Sequence, residues 1–154
     1  MVRLLAILLI LPLQAFAADL GDTLRTQTRY YGVGFQKDGN YWSIDVIFGQ
    51  KDGQIAYPSL ACHGIWTLKE ETSDRITFTE QILEGEDDCV VLGTVTLTPL
   101  SGELILYEWS EFPPIVDARA VLSPTTDIKL SYIDQLRLTL NSVAHDYLLP
   151  ELRD

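Results

Sequence analysis

The sequence contains few of the residues that most catalytic and metal sites need. It has two cysteines and two histidines in 154 residues, and the histidines, His63 and His145, lie far apart. The cysteines do not form a C-x-x-C pair, and neither a G-x-S-x-G motif nor an EF-hand loop occurs. These absences argue against a zinc site, a redox-active cysteine pair and a Ser/His/acid hydrolase. No cofactor is expected.

Basic residues are scarce as well. The chain has 11 Lys and Arg against 22 Asp and Glu, which gives a formal net charge of −11. A charge of this sign repels phosphate backbones and anionic lipid, so nucleic acid and membrane surfaces are poor partners. The same charge keeps an exported protein soluble, and it also suits a cationic protein or peptide as partner.

The one long apolar run lies at the N-terminus. Arg3 precedes an apolar stretch over residues 4–13, and Ala15-Phe16-Ala17 fits a signal-peptidase cleavage site. The stretch is too short to span a bilayer, and no second one follows. We therefore expect a signal peptide over residues 1–17 and one domain over residues 18–154. That domain would be periplasmic or secreted, without a membrane span after cleavage.

The cysteines fit this compartment. Cys62 and Cys89 are an even count, and in an oxidising exported environment such a count predicts one disulfide bond. The bond would close a loop of about 28 residues, for which chain entropy predicts roughly 3 kcal/mol of stabilisation.

Short strands and tight turns follow one another through most of the remaining chain. Strands are expected near residues 28–36, 41–48, 54–59, 64–70, 75–82, 90–98, 103–109 and 115–122. Their even spacing predicts an all-β fold, an antiparallel meander of about eight strands closed or nearly closed into a barrel. The interior of such a barrel holds side chains or one small ligand.

Turn residues suggest registers for the first two hairpins. A two-residue turn at Asp38-Gly39 would place Phe35 opposite Trp42, with both side chains inside.

A similar turn at Asp52-Gly53 would place Phe48 opposite Tyr57 and Val46 opposite Ser59. The Tyr57 ring and the Ser59 hydroxyl would then point inward. Pro58 lies between them and lacks an N–H group, so pairing should end and the chain should bend near residues 60–61.

A buried acid is predicted in the middle of the sheet. Glu80 shares one face of its strand with Ile76, Phe78 and Ile82, where a carboxylate is costly unless it is hydrogen-bonded or paired. A three-residue loop after residue 71 would place Trp66 directly opposite Glu80.

On the other side of Glu80, pairing of Ile82 with Val91 brings Gly93 opposite the carboxylate. A missing side chain next to a buried acid predicts space for water or a ligand.

The next hairpin decides the position of a second acid. If residue 100 pairs with residue 103, Glu108 points inward opposite Val95, while Tyr107 and Trp109 point outward. Large outward aromatic side chains call for a cover.

A helix is expected to provide that cover. Ser131-Tyr132-Ile133-Asp134 resembles a capping box, and apolar residues recur at helical spacing until Pro150. These features predict a helix over about residues 132–148 on the outer face of the barrel. A partner-binding amphipathic helix is the alternative.

The registers gather six residues into one candidate ligand-binding site. Its members are Tyr57, Ser59, Trp66, Glu80, Gly93 and Glu108. One hypothesis is that they enclose an unidentified small ligand. The alternative is that Glu80 is a structural acid, satisfied by the tyrosine, the indole N–H or backbone donors. No catalytic residue and no metal ligand is assigned.

Two inward carboxylates permit a third hypothesis. Carboxyl pairs separated by about 5 to 9.5 Å perform acid/base hydrolysis in glycosidases, and Glu80 and Glu108 would flank one strand. A slip of one residue would turn Glu108 outward, so this hypothesis depends on a single hairpin. A non-enzymatic binding or interaction module is therefore favoured, with inhibitor-like binding of a cationic protein as the alternative.

Three segments also resemble a family. They are Y-P-S-L-x-C-x-G-x-W from Tyr57, F-x-E-x-I-x-x-G from Phe78 and C-x-x-x-G-x-V-x-L from Cys89. The pattern resembles a small exported bacterial β-domain of secreted proteins and of the extracytoplasmic ends of some membrane proteins, including receptor-type kinases. The resemblance covers residues 57–109 and implies a disulfide-bonded β fold and export. It implies no established activity.

Overall fold

Eight antiparallel strands form a closed barrel in simple meander order. The computed structural model describes residues 20–27, 29–36, 39–85, 87–100 and 103–125. Each strand pairs with its neighbour in sequence, and the last strand pairs with the first to close the barrel. The predicted fold class is confirmed. The predicted signal peptide and the predicted helix over residues 132–148 lie outside the described residues.

The elements follow one another with short connections. They are α1 (Leu20–Thr26), β1 (Arg29–Gln36), β2 (Tyr41–Phe48), β3 (Asp52–Tyr57), a 3-10 turn (Pro58–Leu60), β4 (Cys62–Glu71), β5 (Ile76–Glu84), β6 (Leu92–Pro99), β7 (Ile105–Ser110) and β8 (Ala118–Ser123). In the described part of the chain, no helix has the length and apolarity needed to cross a membrane.

Alternate residues of the strands point into the barrel and fill one half of it. Val46, Trp66 and Leu97 are fully buried in this interior. Aromatic rings pack closely there, with 5.9 Å between the ring centroids of Phe48 and Trp66 and 5.6 Å between those of Trp66 and Phe78. This half of the barrel is therefore a packed core.

Helix α1 covers the end of the barrel next to that core. No helix was predicted for this segment. Leu20 and Leu24 lie one helical turn apart and are both buried in the core, while Arg25 contacts Glu71 at the start of the β4–β5 turn. Burial of one apolar face stabilises a helix that is too short to form alone.

The predicted register of the first hairpin is wrong by one residue. Gly34, and not Phe35, lies opposite Trp42, and Phe35 pairs with Tyr41. The Gln36 N–H donates to the Asn40 carbonyl at 2.9 Å, which leaves three residues between the strands instead of two. A slip of one residue moves every side chain to the other face. Gly34 therefore faces the interior in place of Phe35.

The second hairpin departs from the predicted register by four residues, since Phe48 was expected opposite Tyr57. Phe48 pairs with Gly53, and the Gly49 N–H donates to the Asp52 carbonyl at 2.9 Å. An even displacement preserves the faces, so Tyr57 is inside as predicted.

Strand β3 ends at Tyr57, which changes the position of Ser59. Ser59 lies in the 3-10 turn and is exposed, so its predicted inward orientation is wrong. The predicted bend is present, because Ala61 adopts a left-handed conformation with φ of 55° directly after the turn.

The connection between β4 and β5 reaches the predicted pairing by another route. Glu71 pairs with Ile76 across a four-residue turn, and a β-bulge between Leu68 and Glu70 shifts the register. Trp66 consequently lies opposite Glu80, as predicted.

The predicted register of β7 is wrong by one residue, and this error changes the candidate site. The Leu100 N–H donates to the Leu104 carbonyl at 2.9 Å, so three residues separate the strands here too. Tyr107 pairs with Leu97 and Glu108 pairs with Thr96. Tyr107 and Trp109 therefore point inward and need no cover. Glu108 points outward.

The predicted disulfide is present. Cys62 at the start of β4 is bonded to Cys89 in the β5–β6 connection, with 6.5 Å between their Cα atoms. The bond fixes this connection against the end of the β3–β4 turn.

We predict that the Cys62→Ala/Cys89→Ala double variant loses about 3 kcal/mol of unfolding free energy, because the unfolded chain regains the entropy of an open loop. Urea denaturation measures the loss. Reduction of the wild-type disulfide is the control and should lower the stability by a similar amount. Unchanged stability in both experiments would contradict the prediction.

Candidate binding site at the open end of the barrel

A buried carboxylate organises the interior polar groups. Glu80 on β5 is only 1% exposed. Its Oε2 atom accepts hydrogen bonds from the Tyr57 hydroxyl at 2.5 Å and from Trp66 Nε1 at 2.7 Å. Its Oε1 atom accepts one from Trp109 Nε1 at 2.8 Å. Three neutral donors from three other strands thus satisfy both oxygens.

Tyr107 extends this arrangement by one hydroxyl. Its oxygen lies 3.0 Å from the Tyr57 hydroxyl oxygen, and its ring stacks on Trp66 with 5.9 Å between centroids. Since the Tyr57 proton is directed to Glu80, the Tyr107 hydroxyl donates to Tyr57. The five residues Tyr57, Trp66, Glu80, Tyr107 and Trp109 are called the Glu80 cluster below.

The environment of the cluster shifts its proton equilibria. Burial raises the pKa of Glu80, and the hydrogen bonds from Tyr57, Trp66 and Trp109 oppose that rise in part. Burial also raises the pKa of Tyr57 and of Tyr107 well above its ordinary value. Both phenols therefore keep their protons at ordinary pH. If Glu80 takes up a proton on Oε2, the two hydroxyls can reverse direction, so that Tyr57 accepts a hydrogen bond from the carboxyl group and donates one to Tyr107.

Strand register explains how the cluster assembles. Trp66 and Gly93 are the two cross-strand neighbours of Glu80, as predicted. A Cβ atom on Gly93 would collide with the indole of Trp109, so the space beside the acid holds that ring. The prediction that the missing side chain leaves room for water or a ligand next to Glu80 is therefore wrong at this point.

A second glycine beside a tryptophan ring lies on the opposite side of the barrel. A Cβ atom on Gly34 would lie 2.7 Å from the Trp42 ring, so this glycine also makes room for an indole. Trp42 packs edge-on against Tyr57 with 6.2 Å between centroids. Its Nε1 atom is buried and has no hydrogen-bond partner among the described residues.

A cavity of about 350 Å³ lies above the cluster, at the end of the barrel away from α1. The β1–β2, β3–β4 and β5–β6 connections surround it, which in a meander barrel all lie at the same end. Its aromatic lining consists of Tyr41, Trp42, Tyr57, Tyr107 and Trp109. Its aliphatic and sulfur lining consists of Leu60, Ile82, Cys89 and Val90. The remaining polar lining consists of Gln36, Asn40, Glu80 and Asp88.

The structure brings together four of the six predicted site residues. Tyr57, Trp66, Glu80 and Gly93 meet in the interior, and the first and third of them also line the cavity.

The other two lie elsewhere. Ser59 accepts a hydrogen bond through Oγ from the backbone N–H of Ser43 at 2.9 Å. Glu108 forms an ion pair on the outer face with Arg119 at 2.8 Å. Glu80 and Glu108 therefore lie on opposite faces of the barrel wall and cannot flank one bond. In the described part of the chain, no group of three His, Cys, Asp or Glu residues is placed to hold a metal ion.

Sequence reasoning missed Trp42, Tyr107 and Trp109 as members of the site. The last two were assigned to the outer face because the β6–β7 loop was taken one residue too short. Gly93 opposite a buried acid was the signal that a large ring had to fit there.

No family model, no curated protein and no solved structure matches the chain. The resemblance of residues 57–109 to an exported β-domain stays a prediction. Function has to be argued from the geometry of the site.

Removal of the Glu80 carboxylate should strongly destabilise the protein. We expect Glu80→Ala to lower the unfolding free energy by roughly 3–5 kcal/mol, because three buried donors lose their acceptor. Urea denaturation of the purified variant measures the effect. Glu108→Ala is the matched control and should cost about 1 kcal/mol, since that ion pair is partly exposed. Equal losses in both variants would contradict the structural role of Glu80.

The raised pKa of Glu80 predicts a pH dependence of stability. A carboxyl with a raised pKa in the folded state contributes stability that is fully present below the ordinary value of 4.5 and is lost as the pH rises through the folded pKa. Wild-type stability relative to Glu80→Gln should therefore decrease as the pH rises from 4.5. Chemical denaturation of both proteins across that range measures the difference. A difference that grows with pH would show that the pKa is lowered instead.

Proposed function

We propose that the protein is a non-enzymatic binding module that takes a small ligand into the open end of the barrel. The observation that carries this proposal is the cavity of about 350 Å³ above the Glu80 cluster. Ligand sites are concave, mostly apolar or aromatic, and contain a few well-placed polar groups. Eight-stranded barrels are just wide enough to hold one small ligand.

The division of the interior supports this function. Packed aromatic side chains and α1 close one end, so the open end can vary without loss of the core. The floor of the cavity is preorganised, because the Tyr57, Tyr107 and Glu80 side chains are buried and hydrogen-bonded to one another. A preorganised floor lowers the entropy cost of binding.

The disulfide also preorganises the mouth of the cavity. Cys89 lines the cavity and its bond holds the β5–β6 connection in place. A structural disulfide also fits an extracellular or periplasmic protein. Export through the signal peptide predicted over residues 1–17 belongs to the same proposal.

Two alternatives have less support. Hydrolysis by a carboxylate pair loses its second acid, because Glu108 lies outside the barrel. Binding of a cationic protein through the acidic surface is supported by the net charge of −11 alone.

A fragment library screened by NMR against the ¹⁵N-labelled protein tests the proposal. The three indole N–H signals provide the readout, because Trp42 and Trp109 line the cavity. We expect fragments with an aromatic ring to shift these two signals at sub-millimolar to millimolar concentration.

A matched pair of variants shows whether binding occurs in the cavity. Leu60 and Leu68 are both partly buried against the core, but only Leu60 lines this cavity. Leu60→Trp should weaken binding of the best fragment about tenfold or more, and Leu68→Trp should leave it within about twofold. An absence of binders, or equal effects of the two variants, would overturn the proposal.

A further inference from the structure

The charged groups of the cavity have only one sign. Glu80 at the floor and Asp88 at the rim are acidic, and none of the described lining residues is Lys, Arg or His. Every donor to the Glu80 carboxylate is a neutral indole or phenol. When Glu80 is ionised, its carboxylate is hydrogen-bonded, but no cationic side chain among the described lining residues balances its charge.

The walls of the cavity are largely aromatic. Tyr41 lines the mouth, and Trp42, Tyr57, Tyr107 and Trp109 line the space further in. Aromatic faces attract cations, most strongly for Trp and in sites where water is excluded. An anion would meet two carboxylates and the negative field of the whole chain.

Building on the proposed function, we propose that the ligand is an organic cation, an amine or quaternary ammonium group on an aromatic or aliphatic body. The cationic group occupies the space between Trp42 and Asp88, near the mouth of the cavity. The body of the ligand fills the rest of the cavity. Neutral aromatic molecules fit by shape but gain nothing from the two carboxylates.

Three probes with the same phenyl body and different charges test the ligand class. They are 2-phenylethylammonium, 2-phenylethanol and 3-phenylpropanoate, titrated at low ionic strength and followed by the Trp42 and Trp109 indole signals. We expect the ammonium compound to bind about tenfold more tightly than the alcohol, and the carboxylate to bind most weakly.

Two pairs of variants assign the effect to particular residues. Asp88→Asn should weaken ammonium binding about three- to fivefold and leave the alcohol unchanged, while Asp87→Asn, also exposed but outside the lining, should have little effect. Tyr41→Leu should weaken ammonium binding about two- to fivefold, and Tyr41→Phe, which keeps the ring, should not. The three positions changed, 41, 87 and 88, are exposed, so the fold should be retained.

The outcomes separate this inference from the proposed function. If the alcohol or the carboxylate binds as tightly as the ammonium compound, the cation class is wrong while the cavity remains a ligand site. If none of the three probes binds but other fragments do, the cation class is also wrong. If neither the probes nor the library binds, both proposals fail.

Discussion

The buried carboxylate of Glu80 is the constraint on which the barrel interior depends. An acid at 1% exposure is tolerated only because three strands each bring a donor to it, Tyr57 from β3, Trp66 from β4 and Trp109 from β7. Those donors must meet at one point to within hydrogen-bond distance. A polar group with this requirement penalises any register that moves one donor away, so it selects a single closed barrel from the alternatives that hydrophobic burial alone would permit.

Large indoles in a narrow barrel create a second requirement. Trp42 and Trp109 each need a residue without a side chain beside them, and Gly34 and Gly93 provide that space. Their bulk is then used to build one wall of the cavity above the acid. Ordinary packing by Phe48, Phe78 and the leucines of α1 fills the other end. The same barrel is therefore a packed core at one end and a candidate binding site at the other.

The errors made from the sequence have a common physical cause. The β1–β2 and β6–β7 loops have three residues between paired ends where two were assumed, and each extra residue exchanged the two faces of a strand. Phe35 was placed inside for this reason, and so was Glu108. The β2–β3 turn was displaced by an even number of residues, so the predicted faces of its strands stayed correct. In β4, the bulge compensated for a loop of different length, so Trp66 still pairs with Glu80. Loop length is a weak local signal because several turn geometries accept the same residues.

The sequence by itself determined the strand number, the meander order, the disulfide between Cys62 and Cys89 and the presence of a buried acid at Glu80 with Trp66 and Gly93 beside it. These features depend on local alternation of apolar and polar residues, on turn residues between successive strands, and on a chain with two cysteines that can pair only with each other. Only the tertiary structure decided which aromatic residues surround that acid, that α1 closes one end, and that Ser59 and Glu108 lie outside the site. These features depend on the assembled sheet. The position of Trp109 relative to Glu80 is set by the β5–β6 and β6–β7 registers together, and no local sequence pattern determines both registers.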